Sequence, residues 1–350
     1  MTKKLKIVFF DTKQYDKAGF LRANESFGYD FLFLETRLTA ESAWLAKDAD
    51  AVCAFVNDSI NADVISILVE NNVKMLALRC AGYNNVDLKA AWKQLHITRV
   101  PAYSPYAIAE HAAALLLMLT RNMQHSYNRV REGNFLLSGL VGRDLHGKCA
   151  GIAGTGKIGK IAAGIFRGFG MRILVHDTFP DKSWAMDIGA EYVNFDTLCT
   201  LSDVISLHAP LTPETRHIIN ERTLALMKQD VVIINTGRGA LIDTRALVNA
   251  LKKRAIGGAG LDVYEEEEGY FFEDWSTTAI EDDVLARLLT FPNVVITGHQ
   301  AFLTAEALNA IAQTTLENIR LFFEKQILPN EICYKCEVGA CTKELKTRCW

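Results

Sequence analysis

Gly154-Thr155-Gly156-Lys157-Ile158-Gly159 follows an apolar run at residues 149–153 and opens a helix-like stretch. A second apolar run, 172–176, ends at Asp177, 23 residues after Gly154. A tight glycine turn between a strand and a helix commits this part of the chain to a βαβ unit with a parallel sheet. Gly154 permits the turn, Gly156 opens the backbone N–H groups at the helix start to a pyrophosphate, and Gly159 lets helix and strand pack closely. An acid at the next strand end accepts hydrogen bonds from ribose hydroxyls and repels a 2′-phosphate. No arginine follows Asp177 in Thr178-Phe179-Pro180, so the pattern favours NAD over NADP.

The pattern extends in both directions. Before residue 101, short apolar runs at 6–10, 30–34, 51–55, 75–78 and 97–100 alternate with amphipathic stretches such as 61–70 and 87–94. After Gly147, further runs lie at 204–207, 231–235, 258–261 and 294–297. Alternation of this kind implies two doubly wound α/β units. Between them Pro101 and Pro105 bracket a helix start, and residues 105–121 are apolar on nearly every face. Such a helix is expected to be buried between domains or against a second subunit. A long amphipathic stretch, 305–323, closes the pattern and could return to the first unit. The expected organisation is a substrate domain from 1–101 and 300–332, a dinucleotide domain at 102–299, and a tail at 333–350.

Composition excludes other classes. The chain of 350 residues is 49% apolar and 23% charged with a net charge of −3. Neither nucleic acid nor an anionic membrane is favoured by that charge. The longest clean apolar run, 112–119, is far short of a membrane span. Lys3, Lys4 and Lys6 precede too short an apolar run for a signal peptide, so the cytosol is the expected compartment. Cys53, Cys80, Cys149 and Cys199 read as buried free thiols. Cys333 and Cys336 form a C-x-x-C pair, half of a zinc pattern, but Cys341 and Cys349 are too far apart to make a second pair. The expectation is a mobile tail with exposed thiols and no metal.

Three polar groups stand at strand ends of the second unit, the edge where open α/β sheets hold ligands. Arg238 follows 231–234, an acidic run Glu265-Glu266-Glu267-Glu268 follows Leu261-Asp262-Val263-Tyr264, and His299 follows 294–296. Position alone leaves His208 as a rival histidine and does not choose among the four glutamates.

Longer motifs narrow the reading. Cys80-Ala81-Gly82-Tyr83-Asn84-Asn85-Val86-Asp87, Val100-Pro101-Ala102-Tyr103-Ser104-Pro105, Ala109-Glu110-His111, Ser206-Leu207-His208-Ala209-Pro210-Leu211-Thr212-Pro213, residues 235–241, 261–267, Phe271-Phe272-Glu273-Asp274 and 297–308 resemble the D-isomer-specific 2-hydroxyacid dehydrogenases, and among them the bacterial fermentative D-lactate dehydrogenases. The resemblance runs from about residue 5 to Ile332. It implies a Rossmann dinucleotide-binding domain inserted in a flavodoxin-like substrate domain, an NAD cofactor, reversible reduction of pyruvate, and a homodimer or dimer-based tetramer. It implies Arg238 as binder of the substrate carboxylate and His299 as proton donor. Glu267, five residues after Asp262, would pair with His299 and hold it charged. Ala81 and Gly82 would hold the carboxylate through backbone N–H groups, with Tyr103 and Phe302 lining the pocket. Gly154, Gly156, Lys157, Ile158, Gly159, Asp177, Ala209, Pro210, Thr215, Thr236, Gly237, Arg238 and Asp262 fall at cofactor positions. The alternatives are a dehydrogenase of larger acids, such as phenyllactate or 2-hydroxyisocaproate, and an NADH-binding corepressor-like module. Tyr106 departs from the more usual acid or polar residue, and the chain from Glu331 on has no counterpart in the resemblance.

Overall fold

The structure, a computed structural model, describes residues 4–267, 269–337, 341 and 348–350. The chain divides into two compact units, one of Met1–Ser104 with Thr304–Trp350 and the other of Pro105–Leu303.

The first unit contains β1 (Lys6–Phe9), β2 (Asp30–Phe33), β3 (Ala51–Ala54), β4 (Met75–Leu78) and β5 (His96–Thr98). Its helices begin with α1 (Gln14–Asn24), α2 (Ala62–Glu70) and α3 (Leu88–Ala91). The parallel strands run β5-β4-β3-β1-β2, the flavodoxin-like order. β3 and β4 are buried on both faces, which is why they read as unbroken apolar runs rather than alternating ones. Asn61 caps α2 through its side chain. Asp87 caps α3, which ends after one turn and falls short of the helix that the pattern at 87–94 suggests. Arg79, at the end of β4, is fully buried. Its guanidinium donates to Asp16 and to the carbonyls of Phe10 and Asp11, fixing the loop after β1 beside the start of the Cys80-Ala81-Gly82 segment.

The second unit contains α4 (Pro105–Thr120), α5 (Met123–Arg131), β6 (Cys149–Ala153), α6 (Lys157–Gly168), β7 (Arg172–His176), α7 (Lys182–Ile188), β8 (Ala190–Tyr192), α8 (Phe195–Leu201) and β9 (Val204–Leu207). It continues with α9 (Glu221–Leu226), β10 (Val232–Asn235), α10 (Thr244–Lys252), β11 (Gly258–Leu261), α11 (Asp283–Leu289) and β12 (Val294–Ile296). The sheet order is β12-β11-β10-β9-β6-β7-β8, all parallel, the Rossmann order with one further strand. One core face carries Leu198, Ile205, Ile233 and Leu247, and the other carries Leu115, Ile152, Phe166 and Ile234. The apolar helix α4 finds its burial inside this unit, packed on α6 and on β10, β11 and β12. β8 is a three-residue edge strand without a clear apolar run, which hides it from a sequence reading.

The first unit is completed by α12 (Ala305–Phe323), which packs on α1 and β4, then β13 (Glu331–Ile332) and α13 (Tyr334–Glu337). β13 pairs antiparallel with β5, Glu331 opposite Thr98 and Ile332 opposite Ile97. The described part of the tail therefore differs from the expected chain of exposed thiols. Cys333 is buried, and Cys336, Cys341 and Cys349 are half-buried. The expectation failed because two residues of strand are too short to register as a periodic pattern. Cys53, Cys80, Cys149 and Cys199 are buried cysteines that form no disulfide among the described residues.

Candidate active site

The cofactor fingerprint spans the end of β6 and the start of α6. Gly154 has φ +95°, and a Cβ there would lie 2.5 Å from the Ala209 nitrogen. A Cβ on Gly159 would meet the Gly154 carbonyl oxygen at 1.9 Å. The first and third glycines are thus demanded by packing within the unit. A Cβ on Gly156 would meet nothing within 4 Å, so this glycine keeps a face of the turn open at the N-terminus of α6. Asp177 ends β7. One of its oxygens accepts the Thr155 N–H at 2.6 Å and hydroxyl at 2.9 Å, and the other accepts the Phe179 N–H at 2.8 Å. Partial burial works against the charge, but these hydrogen bonds outweigh it and hold the carboxyl below its ordinary range.

Ala209 and Pro210 follow β9, and Thr215 folds back to donate to the Pro210 carbonyl at 2.6 Å. Thr236, Gly237 and Arg238 follow β10. The Thr236 hydroxyl is buried with no hydrogen-bond partner among the described residues. An orphaned buried hydroxyl is costly unless something else satisfies it, and a bound dinucleotide would. The open turn, the ionised Asp177 and this hydroxyl fit such a group.

β10, β11 and β12 are consecutive in the sheet, so their ends lie side by side at about 4.8 Å spacings. Arg238 leaves β10, Asp262 leaves β11 and His299 leaves β12. The Arg238 side chain is exposed, donates to the Gly237 carbonyl at 2.8 Å, and makes no ion pair among the described residues. Gly239 keeps this loop against the next, since a Cβ there would lie 2.0 Å from the Tyr264 carbonyl oxygen.

The acidic run separates by geometry. Glu267 Oε1 lies 2.9 Å from His299 Nδ1, and its other oxygen accepts the Tyr264 N–H at 3.0 Å. Glu265 is engaged elsewhere, 2.6 Å from His217 Nε2 and 3.1 Å from Arg216. Glu266 is exposed. Glu268 lies outside the described residues. The rival His208 places Nε2 2.9 Å from the Ser206 hydroxyl, and desolvation of its ring pushes its pKa down to about 4 although part of the residue reaches the surface. It stays neutral at physiological pH.

His299 has φ +53°, a left-handed conformation that costs a non-glycine residue about 1–2 kcal/mol. Asp262 supplies the restraint. Its carbonyl accepts the His299 N–H at 2.8 Å, and its carboxylate accepts the Gln300 and Ala301 N–H groups at 2.9 and 2.8 Å. The Thr297 hydroxyl donates to the same carboxylate at 2.5 Å, with His111 Nε2 3.0 Å from that hydroxyl and 3.4 Å from the carboxylate. Burial alone would raise the Asp262 carboxyl, but these donors prevail and hold it below the ordinary range. His111 and Thr297 had no role in the sequence reading. The available signal was a histidine inside the largely apolar helix α4.

Phe302 is buried in the second unit. Ala81, Gly82 and Tyr103 belong to the first. There the Ala81 carbonyl accepts from Arg99 at 2.7 Å, and the Gly82 carbonyl accepts the Cys80 thiol at 3.3 Å.

Comparison with known proteins settles the family. Residues 113–301 match the family model described as D-isomer specific 2-hydroxyacid dehydrogenase, NAD binding domain. The chain is 50% identical over 329 residues to the D-lactate dehydrogenase of Escherichia coli K12, covering 94% of this chain and all of that one. This chain belongs to the D-isomer-specific 2-hydroxyacid dehydrogenase family. A solved structure described as the pyruvate reductase of Chlamydomonas reinhardtii superimposes with a TM-score of 0.90 at 41% identity, covering 93% of this chain and 98% of that one. The D-lactate dehydrogenase of Lactobacillus jensenii, solved with NAD+, gives 0.80 at 29% identity over 94% and 99%. As a member of this dehydrogenase family the protein is an oxidoreductase that uses NAD. No helix among the described residues is long and apolar enough to cross a membrane.

Proposed function

We propose that the protein is a D-lactate dehydrogenase, reducing pyruvate to D-lactate and catalysing the reverse reaction. The supporting observation is the His299–Glu267 pair at 2.9 Å, on strand ends adjacent to an exposed Arg238 that has no ion-pair partner among the described residues. NADH held by the glycine turn, Asp177 and the Thr236 hydroxyl would supply the hydride for reduction of the keto acid's carbonyl. Arg238 receives the substrate carboxylate, for which a planar guanidinium offers two parallel N–H donors. His299 delivers a proton to the carbonyl oxygen. Glu267 occupies Nδ1, so Nε2 is the nitrogen left for that transfer. The carbonyl carbon gains the hydride and the oxygen gains the proton, leaving a neutral hydroxyl. In the reverse direction His299 takes the proton back.

Ala81, Gly82, Tyr103 and Phe302 are assigned to the substrate as well, and Lys157, Ile158, Ala209, Pro210 and Thr215 to the cofactor, on family resemblance. Eight cysteines without a disulfide suit a reducing cytosol. Assembly as a homodimer is supported by Phe135, Leu136, Leu137 and Val141, which are 70–90% exposed in one short segment of the second unit.

The test is NADH oxidation with pyruvate, followed by stereochemical assay of the product. Turnover with D-lactate as product is the expected result. NADH binding without turnover on pyruvate or any larger 2-keto acid would move the protein to the corepressor-like class.

A further inference from the structure

Four cysteines that play no part in the dehydrogenase site converge in the tail of the first unit. Cys333, Cys336, Cys341 and Cys349 place their sulfur atoms within 4.8 Å of one another. Cys333 and Cys336 are separated by 3.8 Å at sulfur, one helical turn apart across the start of α13. Four thiolates around a tetrahedral ion at about 2.3 Å would stand about 3.8 Å apart. From this convergence we propose that the tail carries a structural Zn²⁺ held by these four cysteines.

The surroundings show how the last ligand reaches the others across a stretch too long for a second C-x-x-C pair. Glu331, on β13, is buried, with one oxygen 2.6 Å from His96 Nδ1. Its other oxygen accepts the Cys349 N–H at 2.6 Å. Trp350 stacks on the His96 ring with centroids 3.9 Å apart and planes within 8°. Arg348 donates to the Phe322 carbonyl at 2.8 Å and lies over the Phe322 ring. These contacts return the end of the chain to β5 and α12 and set Cys349 beside Cys333. Residue spacing, which argues against a second zinc half-site, is overridden by this docking.

The ligand type follows from the donors. Soft thiolates select Zn²⁺ or iron, and four of them with no open position describe a structural site, not a catalytic one. Binding exchanges the thiol protons for the cation. That leaves a net charge of −2 on the cluster, with Lys335 and Arg348 each next to a ligand in the sequence. The ion would lock the tail to the edge of the first sheet, remote in sequence from the cofactor fingerprint.

The experiment uses the full chain purified under reducing conditions with zinc supplied during expression. Elemental analysis should return one equivalent of zinc per chain. Exchange with Co²⁺ should give the thiolate-to-metal charge-transfer and ligand-field bands of a tetrahedral sulfur site. Cys349→Ser and Cys341→Ser should each lose the retained equivalent. Cys199→Ser, which alters a buried thiol of the second unit, should keep it. Wild-type protein with no stoichiometric metal and four titratable tail thiols would overturn the proposal. One equivalent of iron in place of zinc, or tail disulfides, would overturn it equally.

Discussion

The Thr297 hydroxyl donates to the Asp262 carboxylate across 2.5 Å, joining the ends of two neighbouring strands beneath His299. That carboxylate also accepts two backbone N–H groups from the loop carrying the histidine. Asp262→Asn places an amide N–H₂ where at least one of these donors points. Leaving a buried donor unsatisfied costs about 1–3 kcal/mol. The folded carboxyl lies below its ordinary range, so its contribution is complete above the unfolded value, about 3.9. It disappears as pH falls through the lower folded value. Urea unfolding of wild type and variant should therefore show a constant gap at neutral pH that narrows in acid. A gap independent of pH down to the acid transition would remove Asp262 from this role. Because the loop loses its restraint, kcat/KM for the keto acid should fall more than NADH affinity.

Glu267 and His299 make a sharper kinetic claim. Glu267→Gln preserves shape and a hydrogen-bond acceptor but removes the charge opposite Nδ1. In the proposed reaction reduction of pyruvate takes a proton from His299, so its rate in the variant should begin to fall at lower pH than in wild type. Lactate oxidation should be less affected at neutral pH. His299→Ala removes the donor and should cost roughly 10²–10⁴-fold in kcat/KM. His208→Gln should leave the pH profile where it was, because desolvation already keeps that ring neutral. Superimposable profiles for wild type and Glu267→Gln would show that the 2.9 Å contact does not govern proton transfer.

Much of this was legible from residue order, for a physical reason. Parallel strands buried on both faces must be continuously apolar, and 149–153, 172–176, 204–207 and 258–261 coincide with β6, β7, β9 and β11. The fingerprint was legible because Gly154 and Gly159 are required by contacts within one βαβ unit. What escaped was set by tertiary approach. Nothing local distinguishes Glu267 from Glu265. The choice depends on which loop each meets, His299 for one and His217 for the other. The Asp262–Thr297–His111 network joins residues 186 positions apart. The sulfur cluster depends on Trp350 finding His96, a contact that no spacing rule contains.

The proposed place of Asp177 at the cofactor ribose predicts the choice of cofactor. Its oxygens are satisfied by Thr155 and Phe179, which keep it ionised at neutral pH. A 2′-phosphate brought to that carboxylate would lose a hydrogen bond and meet like charge, together costing on the order of 2–4 kcal/mol. NADH should be preferred over NADPH in kcat/KM by roughly 30- to 1,000-fold. Asp177→Ala should narrow the ratio mainly by weakening NADH. Equal use of the two cofactors by the wild-type enzyme would refute this assignment.

The last expectation concerns assembly. α5 buries none of its residues, and Tyr127 and Val130 on it are exposed. The segment that follows exposes Phe135, Leu136, Leu137 and Val141 while being held in shape by polar contacts. Arg129 donates to the Ser138 carbonyl at 2.7 Å, and the Asn122 amide donates to the Val141 carbonyl at 3.1 Å. A preformed loop that offers four large apolar side chains to water has the character of an interface, since a mobile loop would gain nothing from those restraints. Covering one such side chain is worth about 1.5–3 kcal/mol. In a twofold dimer each substitution acts twice, so Phe135→Asp with Leu137→Asp removes roughly 6–12 kcal/mol of apolar burial. Wild type should sediment as a dimer at micromolar concentration and the double variant as a monomer. NADH should still bind the monomer, because the fingerprint lies elsewhere in the unit. A dimer that survives both substitutions would place the interface on another surface, and a wild-type monomer would eliminate it.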